Sequence, residues 1–156
     1  MGLSSLCLVD ANVVIDGFKY SFFQALVSGH AIGMCGWVWA MEVKYYKGAD
    51  GTHVPIDLTS YTTAGSVRVE HATIIEMQQF ATAYRGGALG RGESESIAMV
   101  MARGFFFCTA DRYAVRAMKQ LGVLDNWVPL EDLLSTLAPA IPIPEHKYSR
   151  AAAQPK

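Results

Sequence analysis

Four acidic residues stand where a carboxylate is out of place. Asp10 closes the apolar run "SLCLVD" and Asp111 closes "GFFFCTAD"; each follows a segment that reads as a buried strand. Glu42 and Glu93 lie on apolar faces of helical segments. At about 100° per residue, Glu93 shares a stripe with Ile97, Val100 and Met101, while Glu95 falls roughly 160° from that stripe's centre and is expected to point away. The same geometry sets Glu42 among Val38, Trp39, Tyr45 and Tyr46. Taken singly, each glutamate reads as a stripe-edge acid bonded to an amide or an arginine. Asp111 reads as a helix N-cap, with Arg112, Arg116 and Lys119 as a solvated helix face. Taken together, four converging carboxylates repel one another strongly. A hard divalent cation resolves that conflict, and oxygen-only ligands suit Mg²⁺ or Mn²⁺ rather than zinc.

Such a group has to be assembled by the fold. "SLCLVD" reads as a strand ending at Asp10 and "AIGM" as a second strand; between them Ser21 caps a helix "FFQALVS" closed by Gly29. "WVWAMEVKYYK" follows as a helix with Gly48 in the stop position, then "GADGTHVPI" as a loop or edge hairpin. "DLTSYTTAG" fits a short capped helix, and "SVRVE" alternates like a strand. Thr73 and Glu76 make a capping box for "IIEMQQFATAY". "RGGALGRG" is a glycine-rich loop, Glu93 to Arg103 is helical, and Gly104 ends that helix. "FFFCTA" is a strand, Arg112 to Leu121 a helix, and "VPLEDLLSTL" another helix.

Strands separated by helices predict an α/β fold, a three-layer α/β/α sandwich around a mostly parallel central sheet. Ligands of such sheets gather outside the carboxyl ends of the strands, where Asp10 and Asp111 both lie. Residues 1–138 are expected to form one domain. The segment 139–156, with Pro139, Pro142, Pro144 and Pro155, reads as a flexible tail.

The 156 residues carry a formal charge of −1, so any nucleic acid has to be held by a local basic patch rather than by global attraction. Cys7, Cys35 and Cys108 all sit in apolar segments without a CxxC pair, which reads as reduced, buried thiols in a cytoplasmic protein. The N-terminal stretch lacks a basic region and is cut by Asp10, so no signal peptide is expected; "AIGMCGWVWAM" is too short to span a bilayer, and no membrane partner is expected. His30, His53, His71 and His146 show no ligand spacing. Trp37, Trp39, Tyr45 and Tyr46 read as core or interface residues, with base stacking as the other use open to them.

The segments "LVDAN" (8–12), "MEVKYY" (41–46), "LGRGESESIAMVMARG" (89–104) and "CTADRYAVRAMKQLG" (108–122) resemble the four blocks of PIN-domain proteins. The likeness is to the branch with a GxGExE third-acid motif, and it covers roughly residues 5 to 135. It implies a PIN-like domain acting as an Mg²⁺- or Mn²⁺-dependent endoribonuclease, a hydrolase of RNA phosphodiester bonds. By that likeness Asp10, Glu93 and Asp111 hold the metal, and Glu42 ligates it or orients a water. Thr109 matches a hydroxyl residue before the final acid, and Asn12 a polar position after the first. Ala110 stands where many relatives have a further aspartate, which leaves Asp111 as the main ligand and implies weaker metal binding.

Arg91, between Gly90 and Gly92, is a candidate phosphate contact, as are Arg112 and Arg116. The resemblance further implies an RNA substrate, the toxin of a toxin–antitoxin pair with a cognate antitoxin, and a homodimer. A non-catalytic PIN-like module that binds RNA or protein is the alternative, and its mark is a broken acidic set. A doubly wound phosphohydrolase with Asp10 as nucleophile is weaker, since it needs a second aspartate where this chain has Asn12.

Overall fold

The computed structural model describes residues 5–87, 89–135 and 137. β1 (Cys7–Val9) leads into α1 (Ala11–Lys19) and α2 (Phe23–Gly29), then β2 (Ile32–Cys35). A π-helical turn over Val38–Glu42 feeds a hairpin of β3 (Tyr45–Lys47) and β4 (His53–Pro55). Next come α3 (Thr59–Thr63), β5 (Val67–Glu70) and α4 (Ile74–Ala83). The chain continues through α5 (Arg91–Arg103), β6 (Phe106–Cys108), α6 (Arg112–Gln120), a 3₁₀ turn at Leu124–Asn126, and α7 (Leu130–Leu134). The proline-rich segment 139–156 lies outside the described residues.

Strands β1, β2, β5 and β6 form one parallel sheet in the order β5-β2-β1-β6, flanked by helices. This is an α/β architecture compatible with the expected three-layer sandwich. β1 and β2 are buried throughout, as strands covered on both faces must be, which explains their unbroken apolar sequence. Phe22, Phe23, Leu26, Met34, Ile97, Met99, Phe107 and Met118 fill the core around them. All three cysteines are free and buried, and burial pushes the Cys7 thiol up to about 12 and the Cys35 thiol up to about 11. Among the described residues no helix is long and apolar enough to cross a membrane.

Three local expectations are corrected. Residues 11–19, given no element from the sequence, are helical: Asp10 ends β1 and also caps α1, so a single residue closes one element and opens the next. Ser21 does not cap α2; it sits in the left-handed region at φ 62, and the helix starts without a side-chain cap. The helix expected over "WVWAMEVKYYK" stops at Glu42. Val43 is out of the helical region, and Tyr45 to Lys47 pair antiparallel with His53 to Pro55, so Tyr45 and Tyr46 share no helical face with Glu42. Trp39 and Tyr45 are exposed, at 43% and 42%, rather than core residues, and Tyr45 stacks on His53 with ring centroids 3.8 Å apart.

The capping box of α4 forms as expected. The Thr73 N–H donates to Glu76 at 2.8 Å and the Glu76 N–H donates to the Thr73 hydroxyl at 3.1 Å. Arg103, at the far end of α5, donates to both oxygens of Glu76 at 2.9 and 2.7 Å, to Glu70 at 3.2 Å, and to the His71 carbonyl at 2.7 Å. One guanidinium therefore clamps β5, α4 and α5 together.

That clamp has a pH signature. Hydrogen bonding to Arg103 holds the Glu76 carboxyl down to about 2, below an unfolded value of roughly 4.3. A depressed folded pKa gives stability that is complete above the unfolded value and lost as pH falls through the folded one. Glu76→Gln should therefore lower the melting temperature at neutral pH and flatten its decline between about pH 5 and pH 2. Parallel wild-type and variant profiles would refute the clamp's role.

Candidate active site

β1 and β6 are adjacent, and their register sets Val9 beside Cys108. The next residue on each strand is polar, Asp10 on one and Thr109 on the other. The Asp10 N–H donates to the Cys108 carbonyl at 3.0 Å, which carries the ladder one step beyond the strands. The Thr109 hydroxyl then donates to Asp10 Oδ2 at 2.9 Å and accepts from the Asp111 N–H at 3.1 Å. Thr109 is only 1% exposed, and its carbonyl accepts from the Trp127 indole at 3.0 Å. Its hydroxyl proton is committed to Asp10, so Thr109 joins the two aspartates rather than facing solvent. The strand order runs outward from β1 in both directions, so this junction lies at the sheet's topological switch point.

Each of the three expected metal-binding acids occupies a helix start. Asp10 Oδ1 accepts from the Ala11 N–H of α1 at 2.8 Å. Glu93 Oε2 accepts from the Gly90 N–H ahead of α5 at 3.1 Å. Asp111 Oδ1 accepts from the Tyr113 and Ala114 N–H groups of α6 at 2.7 and 3.3 Å. The unpaired amides and partial positive charge of a helix N-terminus favour a carboxylate there. Three helices thus aim their starts at one place.

Glu42, the fourth acid, ends the π-helical turn and reaches the first turn of α5. A Cβ built on Gly92 would lie 2.6 Å from Glu42 Oε2 and 2.7 Å from Val38 Cγ2, so only glycine leaves room for this approach. The Cys35 thiol donates to the Gly92 carbonyl at 3.4 Å and ties that turn to the end of β2.

Charge connects all four. Burial raises the pKa of Asp10, the hydrogen bonds from Thr109 and Ala11 pull it back, and the charge of Asp111 raises it again. Burial, then the charge of Asp10, raises Glu42. Glu93 is pushed up to about 7, first by burial and then by the charges of Asp10 and Asp111, with Asp111 close enough to act as a hydrogen-bond neighbour. Asp10 is thus in electrostatic contact with each of the other three. Among the described residues no group of three or more His, Cys, Asp and Glu side chains is arranged to hold a metal ion. Asp10, Glu93 and Asp111 are turned onto the amides of their own helix starts.

The remaining expected site residues stand around this pocket. Asn12 in the first turn of α1, Arg91 at the start of α5 and Arg112 at the start of α6 are all exposed. Arg116, one turn further along α6, is exposed and lies 5.8 Å over the Tyr113 ring. Arg91 stacks over the Trp37 ring at 4.0 Å.

Glu95 points away from the Glu93 stripe, but it is engaged by the backbone of neighbouring segments. It accepts from the Trp37 N–H at 3.1 Å and the Ala72 N–H at 3.2 Å, joining the segments that leave β2 and β5. The helical-face argument missed this because it measured Glu95 only against the stripe of its own helix. No signal local to α5 marks it; amides brought over α5 by the neighbouring strands create the role.

Comparison of the chain with protein-family models, curated proteins and solved structures gives no match. Functional assignment therefore rests on the residues themselves.

Two outcomes follow from the electrostatics. For an acid, a raised folded pKa means the fold binds its proton more tightly than the unfolded chain, so stability rises as pH falls through the folded value toward the unfolded one. In EDTA the protein should gain melting temperature from about pH 8 down to about pH 5. Glu93→Gln should reduce that slope and exceed wild type at pH 8 by roughly 2–4 °C, the response to about 1 kcal/mol in a chain of this size. A variant less stable than wild type at pH 8 would contradict the repulsion. Glu95→Gln, with one acceptor oxygen for two amides, should destabilise by about 1–3 kcal/mol in denaturant titrations; an unchanged midpoint would deny the link.

Proposed function

We propose that this chain is a PIN-like endoribonuclease that hydrolyses RNA phosphodiester bonds with Mg²⁺ or Mn²⁺. The observation that carries this reading is the junction of Asp10 and Asp111 through Thr109 at the ends of β1 and β6, with Glu93 half-buried within reach of both their charges. Such a grouping works against the stability of the free fold, and it is the arrangement that a cation relieves.

The donors fit a hard divalent cation in chemistry and in charge. All are carboxylate oxygens, the ligands that Mg²⁺ and Mn²⁺ favour. A carboxylate has about four lone-pair sites, and the amide and hydroxyl contacts of Asp10, Glu93 and Asp111 use one or two of them. Asp10, Glu93 and Asp111 are the residues that would hold the ion. The chemistry such a cation supplies is acidification of water and neutralisation of phosphate charge.

The protein's own groups do the rest. Thr109 fixes one oxygen of Asp10, so the central carboxylate keeps a single orientation. Glu42 lies against Gly92 at the side of the group and offers an acceptor that would orient the attacking water. Arg91 and Arg112 rise from two of the three helix starts; Arg112 would meet a phosphate beside the cleaved bond, and Arg91, stacked over Trp37, would meet one further along the strand. Asn12 offers an amide at the third. The occupied acidic set favours catalysis over the binding-module alternative.

Incubation with mixed structured RNAs should give cleavage in Mg²⁺ or Mn²⁺ and none in EDTA. Asp10→Asn and Glu93→Gln should each cost at least the roughly 10–100-fold that loss of a metal's outer-shell partner costs. Cleavage that persists in EDTA, or at full rate in both variants, would reject the reading.

A further inference from the structure

A cavity of about 270 Å³ opens on the opposite flank of α5 from Glu93, and none of the four acids assigned above lines it. Arg91, Ser94 and Glu95 line one wall, three and four residues apart as neighbours on a helix surface are. Trp37, Ala72 and Met77 line the other. The Arg91 guanidinium sits 4.0 Å over the Trp37 ring. Glu95 holds the Trp37 N–H and the Ala72 N–H at once, so one carboxylate fixes both segments of the far wall.

We infer that this cavity is a subsite for one unpaired nucleobase of the RNA strand cut at the carboxylates, an assignment that rests on the ribonuclease reading above. Single-stranded RNA is recognised through bases stacked on aromatic rings and arginine planes, and Trp37 with Arg91 presents both. Ala72 and Met77 give the apolar surface that a base face covers. The Ser94 hydroxyl and the remaining lone pairs of Glu95 meet its polar edge.

A protein side chain is the less favoured occupant. The wall carries a guanidinium, a hydroxyl and the Glu95 lone pairs that its two amide contacts leave over, which an apolar anchor would not match. The first turn of α5 separates the cavity from Glu93 by about one helix diameter, roughly 10 Å. The base therefore belongs to a nucleotide next to the cleaved bond or one beyond it, with the strand crossing ahead of α5 at Gly90, which is exposed and carries no side chain.

The test measures binding of a labelled single-stranded RNA hexamer in EDTA, and of the same hexamer carrying abasic sites. Wild type should bind the intact hexamer roughly 10–100-fold more tightly than the abasic one, the range set by one base–aromatic stack. Trp37→Leu, which removes the platform, and Ala72→Phe, which fills the cavity, should lose a similar factor on the intact hexamer and little on the abasic one. Equal affinity of wild type for the two hexamers, or intact binding in both folded variants, overturns the subsite. So does binding of aromatic-tipped peptides with no binding of RNA. Base-dependent binding without cleavage in Mn²⁺ keeps the subsite and discards the nuclease. Cleavage with binding unchanged in both variants does the reverse.

Discussion

A one-residue slip of β6 against β1 would turn Thr109 away from Asp10, because side chains alternate in direction along a strand. The hydroxyl that joins the two aspartates would then be lost, and with it the hydrogen bond that pulls the Asp10 carboxyl back toward ionisation. Register is held from both sides of β6. Three residue pairs fix it to β1, and on its other edge Phe107 bridges Trp127, whose indole reaches back to the Thr109 carbonyl. The backbone of that junction is specified by apolar pairing, and the polar chemistry is appended one residue further on.

The helix starts explain how a repelling group of acids is tolerated at all. Each of Asp10, Glu93 and Asp111 finds amides within its own first turn, so each carries a local stabilisation independent of the others. The fold does not need the acids to be near one another. It needs three helices to begin at the carboxyl edge of one parallel sheet, and the crowding of charge follows. Arg103 and Glu95 tie α5 to the segments around β5 at positions that leave the first turn of the helix facing the pocket.

Much of this was legible because it is written locally. The apolar runs ending in Asp10 and Asp111 show strand ends, the 3.6-residue period of α5 sets Glu93 on the inward side, and Thr73 with Glu76 marks the start of α4. What was not legible depended on neighbours in space. In α1 the β-branched run Val13–Ile15 resembles a continued strand, and its only cap is an aspartate already explained as a strand end. The residues after Glu42 keep a helical apolar rhythm by coincidence, and the pairing of Tyr45 with Pro55 overrides it. Glu95 gains its role from amides that only the folded β2 and β5 segments supply. The position of β6 beside β1, on which the pocket depends, is a property of topology and appears in no window of the sequence.

The strand order also sets when the pocket comes into being. Translation delivers β1 first, and the strand that completes its free side is the last of the sheet to leave the ribosome. Until residues 106–111 emerge and dock, Asp10 has neither its hydroxyl partner nor the neighbouring charge of Asp111. A chain interrupted anywhere before that point lacks Asp111 and the hydroxyl that joins it to Asp10, so the four-acid pocket is complete only once β6 has docked.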